Sequence, residues 1–234
     1  MPFSGPGGVG KARVQLEQIS PKRFKLLRGF RYEPEVGGAH YEVTPEALES
    51  TDLTSVPFLF RWFVNSYGRH TLPSLLHDCL VRGDCAQAVT GPPGTSPPTR
   101  SEADHIFLEA LRAEETPWIR RRLIWSAVTF STRFSHSGPL STTLMILWIL
   151  GAVAGTALFV AGVWFGIPLM YVAAGLAPIA ATLLWGPERR AGIWLGYGVI
   201  FLLPAAIVVL GSYLVYWLAE RALNTPSPPS PKNF

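Results

Sequence analysis

The chain has 234 residues, of which 48% are hydrophobic and only 15% charged. Soluble globular proteins carry roughly 25% charged residues, so the composition argues against a chain that lives wholly in water. Of 20 basic and 16 acidic residues, 16 and 14 lie at or before Arg133, which leaves that part with a net charge of +2. No face dominated by Lys and Arg follows from this, and nucleic acid is disfavoured as a partner.

Met1 to Gly10 has no apolar run resembling a signal peptide. Gly5 to Lys11 matches the letters of a phosphate-binding loop. That chemistry needs a preceding strand and a hydroxyl after the Lys to bind magnesium. Ala12 stands at that position, and residues 1–20 read as a flexible tail. From 21 to 134 the pattern predicts a soluble domain. Phe24 to Tyr32 and His40 to Val43, separated by Pro34 and Gly37-Gly38, suit a small antiparallel ribbon. Phe58 to Val64 and Leu75 to Val81 suit short helices. Residues 84–100 are rich in Pro, Gly, Ser and Thr and predict a mobile loop. Ser101, followed by acidic residues, is a good N-cap for a helix to Ala113. Thr116-Pro117 starts another helix, reaching about Phe130.

The remainder is of a different kind. No Asp, Glu, Lys or Arg occurs from 134 to 187 or from 191 to 219. A helix needs about 20 apolar residues to cross a bilayer, because lipid offers no partners for backbone groups. Three spans are predicted, over 143–165, 167–185 and 193–218, within a membrane domain of 140–218. Residues 219–234 read as a disordered tail. Arg120, Arg121, Arg122 and Arg133 precede the first span, and Arg189 and Arg190 lie between the second and third. By the positive-inside rule this predicts a multi-pass protein of the cell membrane, with a cytoplasmic N-terminal domain and an outside C-terminus. Trp164, Phe165, Trp185, Trp194, Tyr197, Tyr213, Tyr216 and Trp217 fall near the expected interfaces. No ionisable residue lies within the spans, which disfavours transport and favours an anchor. Gly151 and Gly155 form a small-xxx-small pair suited to close helix packing.

Three polar clusters interrupt the apolar pattern of the soluble half. They are Thr51-Asp52-Leu-Thr-Ser55-Val-Pro57, His77-Asp78, and Ser101-Glu102-Ala-Asp104-His105. Asp104, Phe107 and Leu108 share one helical face, which turns Asp104 toward the core. A buried carboxylate needs a partner. His77, Asp78 and Asp104, with Asp52, are therefore expected to converge. They would form a structural hydrogen-bond network, an acid–base group, or the ligands of a divalent metal ion. Cys79 and Cys85 are the two cysteines. They read as ordinary thiols, since no second pair completes a zinc site.

Taken in order, Thr51-Asp-Leu-Thr-Ser-Val-Pro57, His77-Asp78-Cys-Leu80 and Arg100-Ser-Glu-Ala-Asp104-His-Ile-Phe107 closely resemble the motifs of the domain of unknown function 1353 family. The resemblance spans about Phe24 to Phe130 and implies a phage or bacterial setting. It implies no activity. This chain departs from the family pattern at Val81, where the family usually has Tyr, and in its long Pro/Gly-rich loop and appended spans. A competing resemblance, to HD phosphohydrolases, would need an earlier His, for which His40 and His70 are the candidates. The predicted fold is α+β: a small antiparallel ribbon with a helical N-terminal domain, then a three-helix transmembrane bundle. The predicted function is a membrane-anchored binding or assembly module with the bilayer and a protein as partners. The alternative is a metal-dependent hydrolase using Asp52, His77, Asp78 and Asp104.

Overall fold

The computed structural model describes residues 2–20, 23–34, 40–51, 63, 67–82 and 97–223. Branched and aromatic residues at the start of the chain form short strands: β1 (Phe3–Ser4), β2 (Leu16–Ser20), β3 (Arg23–Leu26), β4 (Phe30–Tyr32) and β5 (Tyr41–Val43). They make two antiparallel sheets, one in the order β1-β4-β5 and one of β2 with β3. Phe3 opposes Tyr32, and Phe30 opposes Val43. These four side chains are buried together.

Two expectations change here. The first twenty residues are not a loose tail, because Phe3 is buried, with its ring 4.6 Å from that of Tyr32. The run Phe24 to Tyr32 is two strands rather than one. It breaks before Gly29, where a Cβ would lie 2.6 Å from the Val43 carbonyl oxygen. Only glycine permits that approach of β4 to β5. Among the described residues of the first fifty, the regular structure is these strands and a 3-10 turn at Pro6–Gly8, and the α-helices follow.

Those helices are α1 (Thr71–Val81), α2 (Arg100–Ala113) and α3 (Trp118–His136). Leu72, Leu75, Leu76, Cys79 and Leu80 of α1 bury against the strands and against Ala103 and Ala110 of α2. The N-cap of α2 is Thr99 rather than Ser101. Its hydroxyl accepts from the Glu102 amide, and the Glu102 carboxylate accepts from the Thr99 amide, a reciprocal capping box. These hydrogen bonds hold the Glu102 carboxyl below its usual pKa. Helix α3 runs six residues beyond Phe130, the end the sequence suggests. The expected helix over Phe58 to Val64 and most of the expected loop at 84–100 fall outside the described residues.

Three more helices follow: α4 (Gly138–Phe165), α5 (Pro168–Ala181) and α6 (Arg189–Leu223). Two stretches, Gly138–Phe165 and Pro168–Leu223, are long and apolar enough to cross a membrane, where three spans were expected. The second expected span fails as a continuous helix. Helix α5 has 14 residues, or roughly 21 Å, against the roughly 30 Å of hydrocarbon. The chain then tightens into a 3-10 stretch, Thr182–Glu188, broken at Gly186 with φ 53° and ψ −122° and followed by Pro187.

A second apolar cluster joins Phe107 and Leu111 of α2 and Ile124 and Trp125 of α3 to Met145, Trp148, Trp185 and Ala191. Trp185, expected at a lipid interface, is instead fully buried, its ring 5.4 Å from that of Trp148. It lies against Gly192, where a Cβ would sit 2.6 Å from the indole. Gly155 of the small-xxx-small pair faces Ala177 of α5.

Two outcomes are expected. Gly192→Val forces Trp185 out of place and destabilises the protein by about 1–3 kcal/mol, read from denaturation followed by Trp fluorescence. A chain ending at residue 134 strips Phe107, Leu111 and Trp125 of their neighbours and should melt with lower cooperativity than the full chain in calorimetry.

Candidate functional site

Helix α1 buries its leucines on one face, which leaves His77 and Asp78 on its margin, with side chains 12% and 20% exposed. Helix α2 packs against α1 and carries Asp104 inward, with only 2% of the residue exposed. His77 Nε2 and Asp104 Oδ1 are 2.8 Å apart. With the carboxylate ionised, Nε2 donates. Thr132 of α3 donates its hydroxyl to the same Oδ1 at 3.3 Å. The imidazole also lies beside Phe107, with ring centroids 5.1 Å apart. One carboxylate oxygen thus gathers groups from three helices.

The other oxygen, Asp104 Oδ2, is buried and accepts no hydrogen bond among the described residues. The Thr129 hydroxyl, one turn before Thr132, is likewise buried without a partner. Such orphaned polar atoms are uncommon in native interiors.

Asp78 belongs to a separate contact. Its Oδ2 accepts from the Thr51 hydroxyl at 2.6 Å, with Arg82 Nη2 3.7 Å away, one turn along α1. Thr51 is itself held by backbone bonds to Phe24, at 2.8 Å in each direction. Arg82 also donates to the Ser50 carbonyl. The His-Asp dipeptide therefore faces two ways, His77 toward α2 and α3, Asp78 toward the end of the strand region.

Of the four residues singled out from the sequence, His77 and Asp104 meet. Asp78 meets Thr51 instead, and Asp52 lies outside the described residues. Among the described residues no three His, Cys, Asp or Glu side chains are grouped to hold a metal ion. Cys79 is fully buried and disulfide-bonded, not the free thiol expected. Thr132 was missed because it lies beyond the expected end of its helix. Thr51 was visible within its cluster, but Asp52 drew attention as the charged member. His70, needed for the HD phosphohydrolase reading, is buried at the N-cap of α1.

The three motifs are thus linked pairwise: Thr51 of the first holds Asp78 of the second, and His77 of the second holds Asp104 of the third. Residues 24–128 match the family model described as protein of unknown function (DUF1353). The DUF1353 match covers all three motifs and ends just short of Thr129 and Thr132, so the hydroxyl that completes the Asp104 contact comes from beyond the matched segment. Val81, where the resemblance calls for Tyr, is half-buried against the first core. No curated protein and no solved structure matches the chain.

Removing one partner of a buried pair leaves the other desolvated. Asp104→Ala should therefore cost about 3 kcal/mol of stability, and Thr132→Val about 1 kcal/mol. The Asp104→Ala/His77→Ala double variant should cost clearly less than the sum of the singles, a coupling readable from urea denaturation of the four proteins.

Proposed function

We propose that this chain is a membrane-anchored protein whose DUF1353-like region acts as a binding or assembly module on the cytoplasmic side. The observation that carries this reading is the junction of the two halves. Apolar α4 and α6 share one buried cluster with α2 and α3, so the matched region is held rigidly against helices suited to a bilayer. Among the described motif residues, His77 contacts Asp104 and Thr51 contacts Asp78, as suits a scaffold for recognition. A protein partner is part of this proposal.

The orientation rests on six arginines. Arg120, Arg121, Arg122, Arg133, Arg189 and Arg190 all flank the uncharged stretches on the side of the matched region. The Cys79 disulfide pulls the other way, since such bonds persist in oxidising compartments. The proposal follows the arginine bias, which is counted in short loops close to the ends of the spans. Glu188 beside Ser101 shows that the chain returns to the matched region after α4 and α5, so α6 leaves it once, and a reporter fused after Phe234 should read outside and one at Met1 inside. Opposite labelling would reverse the orientation. Anchoring itself predicts that the full chain stays in the membrane pellet after alkaline carbonate treatment, and release into the supernatant would exclude it.

A second reading has one observation in its favour. Asp104 Oδ2 has free lone pairs beside an imidazole whose described hydrogen bond uses Nε2, leaving Nδ1 available. With Asp52, which the sequence places next to Thr51, these groups could serve a metal-dependent hydrolase in which His77, Asp78 and Asp104 are ligands or bases. Metal analysis of the purified full chain separates the readings. Stoichiometric divalent metal lost on Asp104→Asn supports the hydrolase. Metal-free protein in which Asp104→Asn only lowers the melting temperature supports the binding module.

A further inference from the structure

The first turns of α3 carry Arg120, Arg121 and Arg122 in succession, soon after Arg112 at the end of α2. Basic side chains at a helix N-terminus sit at the wrong end of the helix dipole. Among the described residues none of these four arginines forms an ion pair. The Nε atoms of Arg121 and Arg122 are buried without hydrogen-bond partners. Arg120 lies 5.9 Å from the centre of the Phe63 ring. Burial pulls the Arg121 guanidinium below its ordinary pKa, and the neighbouring Arg112 and Arg122 add to this. Among the described residues, these four cations, three at the start of α3 and one at the end of α2, have no paired anion.

Their position along α6 indicates which anion. Trp118 packs edge-on against Trp194, with ring centroids 4.8 Å apart. Leu123 lies where a Cβ on Gly198 would stand, 2.6 Å from its Cδ2. The arginines are therefore beside α6 near residues 194–198. From there α6 leaves its neighbours. Ala206 is its last buried residue, and every residue from Ile207 to Leu223 is exposed. From Ile200 to Ala219 the helix has no charge, a length of roughly 30 Å that matches the hydrocarbon thickness. Glu220 and Arg221 close the stretch, with Arg221 4.9 Å from the ring of Trp217. Among the described residues the segment stays exposed along its whole length, and an apolar helix of that length is suited to lipid.

We propose that Arg112, Arg120, Arg121 and Arg122, which fan out around the start of α3, bind the phosphates of anionic phospholipid headgroups at the level where α6 enters the bilayer. The paired Trp118 and Trp194 sit at this same level, as amphipathic aromatics do at the water–lipid boundary. The membrane surface then lies across the first turns of α3, the residues of α6 beyond it make the crossing, and α4 enters the bilayer by its last turns, since Phe159 lies beside Phe201. This inference rests on the anchored reading, yet fails separately from it. Carbonate release would remove anchoring, whereas retention without headgroup preference would remove only the site.

The test uses the full chain in a neutral detergent, with its melting temperature followed as short-chain phosphatidylglycerol, short-chain phosphatidylcholine or inorganic phosphate is added. Phosphatidylglycerol should raise the melting temperature saturably, and the other two should not. R120Q/R121Q/R122Q should need about a hundred-fold more phosphatidylglycerol, and each single variant about five-fold more. R189Q/R190Q should respond like the wild type. The single variants decide the matter if the triple variant melts too low to be read. Equal responses to the two lipids, full reproduction by inorganic phosphate, or an equal loss in R189Q/R190Q would each overturn the proposal.

Discussion

Among the described residues, a carboxylate with 2% exposure is the most demanding group in the first half of this protein. An ionised Asp104 without partners would cost several kcal/mol, and the fold meets that demand with a donor from each neighbouring helix. His77 comes from α1 and Thr132 from α3, both to one oxygen. The packing of three helices therefore depends on placing one carboxylate. The apolar residues of the same helices, Phe107 and Leu111 on α2 and Leu75 and Leu76 on α1, are buried because burial removes their surface from water. Among the described residues, the oxygen left over and the Thr129 hydroxyl show that satisfaction is incomplete.

The second constraint is the sharing of a core between the two halves. Trp148 and Trp185 come from the apolar half, and Phe107, Leu111 and Trp125 from the matched region, yet they form one buried cluster. Polar links reinforce it. Ser101 donates to Glu188 at 3.2 Å, His105 Nε2 lies 3.5 Å from the same carboxylate oxygen, and Arg133 reaches the Leu184 carbonyl at 3.4 Å. The matched region and the apolar helices are therefore joined at the turn before α6, through Glu188 and Trp185.

Much of this could be read from the amino-acid order. Charge depletion after Arg133 reveals long apolar helices, because only a side chain without charge is cheap to place in hydrocarbon. The inward face of α2 follows from the spacing of Asp104 and Phe107, since residues three apart share a helical face. The helix over Leu75 to Val81 and the order of the three motifs were legible for the same reason: each is a local pattern.

What the order of residues could not decide was which distant groups meet. Asp52 and Asp78 look alike as charges, but only the fold brings Thr51 to Asp78. Nothing local in Thr132 announces a partner 28 positions away. Local hydropathy likewise makes 167–185 a span, whereas Pro178 and the backbone reversal at Gly186 end α5 after 14 residues and send Trp185 into the core. Apolar character records that a residue avoids water. Whether lipid or protein surrounds it is set by what else the chain folds against it, as Trp185 and Tyr213 illustrate: one fully buried against Trp148 and Gly192, the other exposed on α6.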